Sequence, residues 1–325
     1  MRQREGGMAV VMALLIVALA TTVSALVLWQ QGLWLRQVDN DRARAQTRLV
    51  ADGGLGWAME ILRYDGETSS VDSLSELWAQ PLPKTDAQGV DVRGTLADAQ
   101  GRFNLNNLVQ GGVVSAPQLA LYRRLLAELR LPPELADSLA DYLDADDDKR
   151  AGGAESGDYL ALRPPYRALN APLARAGQLA WVQGYRPEVL ARLSPHVVAL
   201  PETMATAINV NTASPELMRA LVQGVNAGEL QGLINQRIDN HFIDEADFRA
   251  RLPARAQLPE GIALATRSRY FLLQSEVRQA AVRLSVAALI LRDEFTTRLV
   301  WREDGRLLAG SRALDGKPPS PTETR

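Results

Sequence analysis

The chain has 325 residues, 46% of them hydrophobic, enough apolar material for two packed units or for one domain with a large insertion, and this excludes a mainly disordered chain. Its 36 Lys and Arg against 38 Asp and Glu leave a formal charge of −2, so no global field draws in nucleic acid or acidic substrates and any partner is recognised locally. The lack of cysteine excludes disulfides, zinc thiolates and thiol nucleophiles, and His196 and His241 alone cannot build multi-histidine sites, which disfavours an enzyme.

The first element is uncharged from residue 8 to residue 35, "MAVVMALLIVALATTVSALVLWQQGLWL", longer than the ~20 residues a helix needs to cross a bilayer. A secretory signal has an apolar core of only about 7–15 residues with a small-residue cleavage site after it. Here the run is too long, and the small pair Gly6-Gly7 comes before it. Arg2 and Arg4 on one flank and Arg36, Arg42 and Arg44 on the other, partly offset by Asp39 and Asp41, leave the orientation undecided by charge. Helix formers continue through "RQVDNDRARAQTRLVADGGLGWAMEILRY". There Leu49, Leu55, Trp57, Met59, Ile61 and Leu62 predict an amphipathic half lying on a soluble domain, weakened or kinked at Gly53-Gly54. The expectation is one helix from Met8 to about Arg63, roughly 80 Å long at 1.5 Å per residue.

A short basic leader ending in Gly7, followed by an uncharged helix from Met8, resembles the class III signal of type IV pilins and type II secretion pseudopilins. The resemblance implies that a membrane prepilin peptidase cuts between Gly7 and Met8 and that the new amino terminus is N-methylated. Most members carry glutamate at the fifth mature position, where it pairs with a neighbouring subunit's amino terminus, and this chain has Met12 there. A buried carboxylate without such a partner costs several kcal/mol, so an apolar residue suits a subunit with nothing ahead of it. Within the family, the unusually large minor pseudopilins of the K type lack that glutamate. The alternative on this segment alone is a single-pass anchor whose glycine pair has no meaning.

Further along, "GVDVRGTLADAQGRFNLNNL" alternates and is punctuated by glycine, predicting one or two strands. About 160 residues later, "RYFLLQSEVRQAAVRLSVAALILRDEFTTRLVWRED" predicts two or three more. The pattern between them is helical, so a sheet is assembled from both sides of an insertion. That insertion reads as two related units, one opening on "FNLNNL" with Asn104 and Asn106, the other on "INVNTAS" with Asn209 and Asn211. The asparagines are expected to cap helices or bond their own backbone in turns, with Ser214 as an N-cap before Pro215. The second unit also resembles helix-hairpin-helix modules, some of which bind DNA. Its "VQGVNAGEL" lacks the close glycine pair and any basic-aromatic interleaving, so nucleic acid is not expected.

The first unit carries an acidic loop, "DYLDADDDKRAGGAESGDYLALRPPY". Asp144, Asp146 and Asp148 alternate, with Glu155 and Asp158 beyond, an oxygen-rich set on a glycine-containing loop of the kind Ca²⁺ accepts. The spacing overlaps positions one, three, five and twelve of an EF-hand loop, but Lys149 stands where that loop needs glycine. Acid clusters are also commonly solvated faces. The run is similar to the calcium-binding stretch of the K-type pseudopilins. That resemblance implies one or two structural Ca²⁺ ions held by Asp144, Asp146, Glu155 and Asp158, with Asp147 or Asp148 and backbone carbonyls completing the shells. A glycosidase-type carboxylate pair is disfavoured, since both groups lie on one loop without lining aromatics.

The resulting expectation is an α+β chain. It comprises a leader (1–7), a pilin-like transmembrane helix (8–63), a small antiparallel sheet (64–106 and 266–312), an inserted all-α domain of two SAM-like or helix-hairpin-helix units (107–265) and a disordered tail (313–325). By resemblance it is a non-catalytic minor pseudopilin, single-pass in the inner membrane with its bulk in the periplasm. It sits at the pseudopilus tip with the minor pseudopilins I and J, starting a fibre of the major pseudopilin G. The alternatives are a membrane-anchored periplasmic binding module and a DNA-binding envelope protein.

Overall fold

The computed structural model describes residues 5–81, 85–86, 89–280, 282–294 and 296–305; the first leader residues and the tail expected at 313–325 lie outside them. Helix α1 (Glu5–Thr68) runs uninterrupted for 64 residues, roughly 96 Å at 1.5 Å per residue. It therefore begins inside the expected leader, and Gly53-Gly54 does not break it. Nothing lies within 4 Å of a side chain built at either glycine. The neighbouring turns are anchored by Thr47, Ala51, Leu55, Ala58 and Leu62, all buried on one face at spacings of three or four residues. Tertiary packing on that face outweighs the two glycines' low helix propensity.

After α1 come β1 (Thr85–Asp86) and β2 (Asp91–Asp98), and the chain then leaves the sheet. The first inserted unit contains β3 (Phe103–Asn104), a small hairpin of β4 (Val109–Gln110) and β5 (Val113–Val114), the helices α2 (Ala116–Glu128), α3 (Leu135–Leu143), α4 (Ser156–Leu160) and α5 (Pro187–Leu193), and β6 (Val197–Val198). The second contains β7 (Ile208–Asn209), α6 (Pro215–Leu221), α7 (Ala227–Asp239), α8 (Glu245–Arg251) and β8 (Leu264–Ala265). Each unit is closed by a two-residue parallel pair, β3 with β6 and β7 with β8.

The paired asparagines explain that closure. Asn104 and Asn209 each accept from the backbone N–H two residues on, at 3.2 and 2.9 Å, and also reach distant segments, Asn104 accepting from the Leu200 N–H at 3.0 Å and Asn209 donating to the Asp72 carbonyl at 3.1 Å. Asn106 and Asn211 reach segments 67 and 31 residues away. Asn106 donates to the Leu173 carbonyl and accepts from its N–H, at 3.0 and 2.8 Å. Asn211 does the same with Phe242, at 2.9 and 2.8 Å. An amide side chain carries the donor and acceptor that match one backbone residue, so local turn chemistry is half of their role. Ser214 caps α6 as expected, accepting from the Leu217 N–H at 3.2 Å with Pro215 following.

The chain returns as β9 (Tyr270–Gln279), β10 (Val282–Arg292) and β11 (Thr297–Asp304). The sheet is antiparallel in the order β1-β2-β9-β10-β11, joined across the insertion by the β2–β9 pairing. Both faces are covered, so residues 270–277 of β9 are all buried. Phe271, Leu273, Ala288 and Ile290 pack with Leu55, Ala58, Leu62 and Trp78 on the α1 side. The alternate residues Tyr270, Leu272, Leu289 and Leu291 pack with Ala99, Val198 and Leu200 on the insertion side.

Two buried polar junctions tie these layers. Asp98, at the end of β2, accepts from Gln100 N–H, Asn209 Nδ2, Thr212 Oγ1 and Ser268 Oγ at 2.6–2.8 Å. Arg292, 3% exposed, donates to Asp65 on α1 at 2.5 Å, to both oxygens of Asp72 at 2.6 and 2.7 Å and to the Ser268 carbonyl at 2.8 Å. Its guanidinium lies 4.6 Å from the centre of the Phe271 ring.

Candidate metal centre

The acidic loop starts where α3 ends. All nine residues of α3 are buried, which draws Asp141 into the interior one turn before Asp144, the helix's C-cap. The loop then folds back onto α3. The Ser138 hydroxyl donates to the Gly152 carbonyl at 2.9 Å, and the Arg150 N–H donates to Asp141 Oδ2 at 3.0 Å. Gly153 lies so close that a Cβ there would sit 1.7 Å from Asp141 Oδ2, so only glycine fits. Glu155 follows as the N-cap of α4 and is 5% exposed.

This folding brings Asp141, Asp144 and Glu155 together, with one oxygen from each within 4.8 Å of the others. Asp144 Oδ1 and both oxygens of Glu155 are buried and have no hydrogen-bond donor. The N–H that usually reaches an N-cap side chain, that of Asp158, goes to the Glu155 carbonyl at 2.8 Å instead. Burial, then the charges of Asp141 and Asp144, pushes the Glu155 carboxyl up to about 7. Burial also raises that of Asp144, opposed by the Arg150 guanidinium.

The expected ligands therefore divide. Asp144 and Glu155 converge in the interior. Asp146 is exposed and accepts the Asp148 N–H at 2.9 Å, while Asp147 and Asp148 are exposed beside it. Asp158 accepts from the Glu155 N–H at 3.0 Å and from Lys149 at 2.9 Å, and those two donors hold its carboxyl below the usual range. Asp141 was not among the expected ligands. Its only signal was the three-residue spacing from Asp144, which puts both on one face of a helix.

The uncovered oxygens fit a cation. Buried carboxylates without donors are costly, and an all-oxygen set suits a hard divalent ion such as Ca²⁺. A second acidic group, Asp65, Asp72 and Glu76, differs in this respect. Arg292 holds its two aspartates, and Glu76 accepts from Ser69 Oγ, Ser73 N–H and Trp78 Nε1 at 2.8–2.9 Å.

The processing residues lie in the other half of the molecule. Gly7 is within α1, and Met8 is 71% exposed. From Met8 to Arg42 every residue of α1 is exposed except the half-buried Gly32. This segment is long and apolar enough to cross a membrane.

Residues 101–202 and 208–266, one inserted unit each, match two family models, both described as type II secretion system protein K. The chain is 35% identical over 289 residues to the type II secretion system protein K of Pseudomonas aeruginosa, covering 85% of this chain and 86% of the relative. It is 28% identical to that of Pectobacterium carotovorum, covering 86% and 90%. A solved chain of the GspK–GspI–GspJ complex from the enterotoxigenic Escherichia coli type 2 secretion system superposes with a TM-score of 0.73 at 26% identity, covering 83% of this chain and 100% of that one. The chain belongs to the type II secretion system protein K family.

Proposed function

We propose that this chain is the subunit at the tip of a type II secretion pseudopilus, where it joins the minor pseudopilins I and J and starts a fibre of the major pseudopilin G. One observation carries the reading. The first half of α1 is apolar around its whole circumference, and from Met8 to Arg42 no other described part of the chain covers it, apart from the partial cover at Gly32. Such a helix has to be covered by lipid or by other helices. In the inner membrane it is an anchor. In the fibre it exchanges lipid contacts for helix contacts. Met12 presents no carboxylate to a subunit ahead. The likeness to a chain solved in a GspK–GspI–GspJ complex supports I and J as partners. The role is packing, not catalysis, and the two inserted units obstruct addition of a further subunit above.

In this reading Ca²⁺ binds at Asp144 Oδ1 and the Glu155 carboxylate and holds the acidic loop on α3, with the exposed Asp146 to Asp148 supplying outer ligands. Asp158 then acts as a helix-capping residue.

Mass spectrometry of the mature chain, produced with its prepilin peptidase, tests the fibre reading. The expected amino terminus is N-methylated Met8. An intact Met1 overturns the reading in favour of a plain anchor.

A further inference from the structure

Two of the three carboxylates, Asp141 and Asp144, are bridged by an arginine of the acidic loop. Arg150 Nη1 donates to Asp141 Oδ1 at 2.5 Å and to Asp144 Oδ2 at 2.7 Å, and its backbone N–H donates to Asp141 Oδ2 at 3.0 Å. Its side chain is 29% exposed, against 0% and 1% for the side chains of Asp141 and Asp144. The adjacent Lys149 does not share the task; it bonds Asp158. The guanidinium thus covers the outer oxygens and leaves the inner three, Asp144 Oδ1 and both of Glu155, without a donor.

The Arg292 cluster shows what a sufficient arginine looks like. There Arg292 and the neutral donors on Glu76 leave no buried oxygen of Asp65, Asp72 or Glu76 unpartnered. Arg150 bonds two of its three carboxylates, and no neutral donor reaches Glu155 or Asp144 Oδ1, so those oxygens are left open to a cation.

We propose that Arg150 is a tethered counter-ion of this site, which keeps the loop folded before an ion arrives and competes with the divalent ion for Asp144, setting its affinity. The proposal rests on the reading that the loop binds Ca²⁺. Any ion bound to Asp144 Oδ1 shares that carboxylate with the guanidinium on Oδ2. Two cations on one carboxylate repel each other, and each draws on the same negative charge. The arginine therefore weakens the metal while stabilising the metal-free state. Gly153 seated on Asp141 fixes the loop backbone and so returns Arg150 to the same carboxylates.

The test is calorimetric titration of the full chain in detergent with Ca²⁺ after chelation, comparing the wild type with Arg150→Met, which keeps the apolar stem and removes the charge. The variant is expected to melt lower without metal and to bind Ca²⁺ more tightly, by roughly tenfold or more. Arg150→Lys, which keeps the charge without the two-carboxylate bridge, is expected to fall between them. If Arg150→Met is unfolded without metal, its far-UV circular dichroism is titrated instead. Recovery at Ca²⁺ concentrations at or below those that saturate the wild type supports the proposal, and failure to recover overturns it. A folded Arg150→Met that binds Ca²⁺ no more tightly than the wild type overturns the proposal and leaves the calcium reading intact. Absence of Ca²⁺ binding in both proteins overturns the two together.

Discussion

Asp144 Oδ1 and both oxygens of Glu155 are buried without a donor, whereas the carboxylates of Asp146 and Asp158 are exposed or half-exposed and each have at least one donor. That difference predicts unequal mutants. A hundredfold excess of Ca²⁺ over its dissociation constant is expected to stabilise the chain by about 3 kcal/mol. Asp144→Ala or Glu155→Gln should abolish that stabilisation in thermal melts with Ca²⁺ against EDTA, and Asp158→Ala should retain most of it. Spacing in the sequence pointed to the loop, yet spacing cannot say which carboxylates turn inward. Asp141 was hidden because it reads as one more polar position on a helix, and its burial depends on α3 being enclosed on every side. Asp98 supplies a separate check at this scale. Burial raises its carboxyl to about 6 despite four donors. The folded state therefore holds that proton more tightly than the unfolded chain, so stability from this group is fullest below about pH 4 and is lost as pH rises through 6. The loss is about 3 kcal/mol once the group is ionised in both states. Chemical denaturation across pH 4–7 should show this slope in the wild type and a flatter one in Asp98→Asn.

Among the elements, α1 and the closing strands follow from local pattern: an uncharged run too long for a signal, and runs rich in Val, Leu, Tyr, Phe and Trp. Of the apolar positions expected in the second half of α1, Leu55 and Leu62 are buried while Leu49 and Trp57 are exposed, the buried face being completed by Thr47, Ala51 and Ala58. What the pattern could not give is how they are fastened. Arg292 reads as an ordinary charge at the end of β10, but it joins the last turns of α1 to the sheet through Asp65, Asp72 and Ser268. Removing one partner of a buried ion pair leaves the others unpaired, at a cost of about 3–5 kcal/mol. Arg292→Met should lose stability of that size in urea. It should also raise amide exchange across residues 60–68, while the upper half of α1 keeps its protection in detergent. The asparagine clamps have the same origin. Asn-x-Asn announced a turn at each unit's start, but the bonds to Leu173 and Phe242 depend on where the chain comes back. Asn211→Ala strands the Phe242 N–H and carbonyl and should cost about 2–4 kcal/mol, read in the same urea titration.

The molecule as a whole is a rod with its first half bare and its second half packed on one face against a sheet, the sheet being covered on its other face by the first inserted unit through Val198 and Leu200. This division of labour was legible because lipid and fibre cores impose an uncharged helix, while a sheet enclosed on both faces imposes an apolar β9. The central claim is that this chain stands at one end of a fibre with nothing stacked above it. Immunogold labelling of pseudopili assembled from the major pseudopilin G, the minor pseudopilins I and J and this chain tests that claim most directly. The account predicts a single label at one tip of each fibre. Label distributed along the shaft, or fibres that form at the same rate and never carry it, would contradict the account.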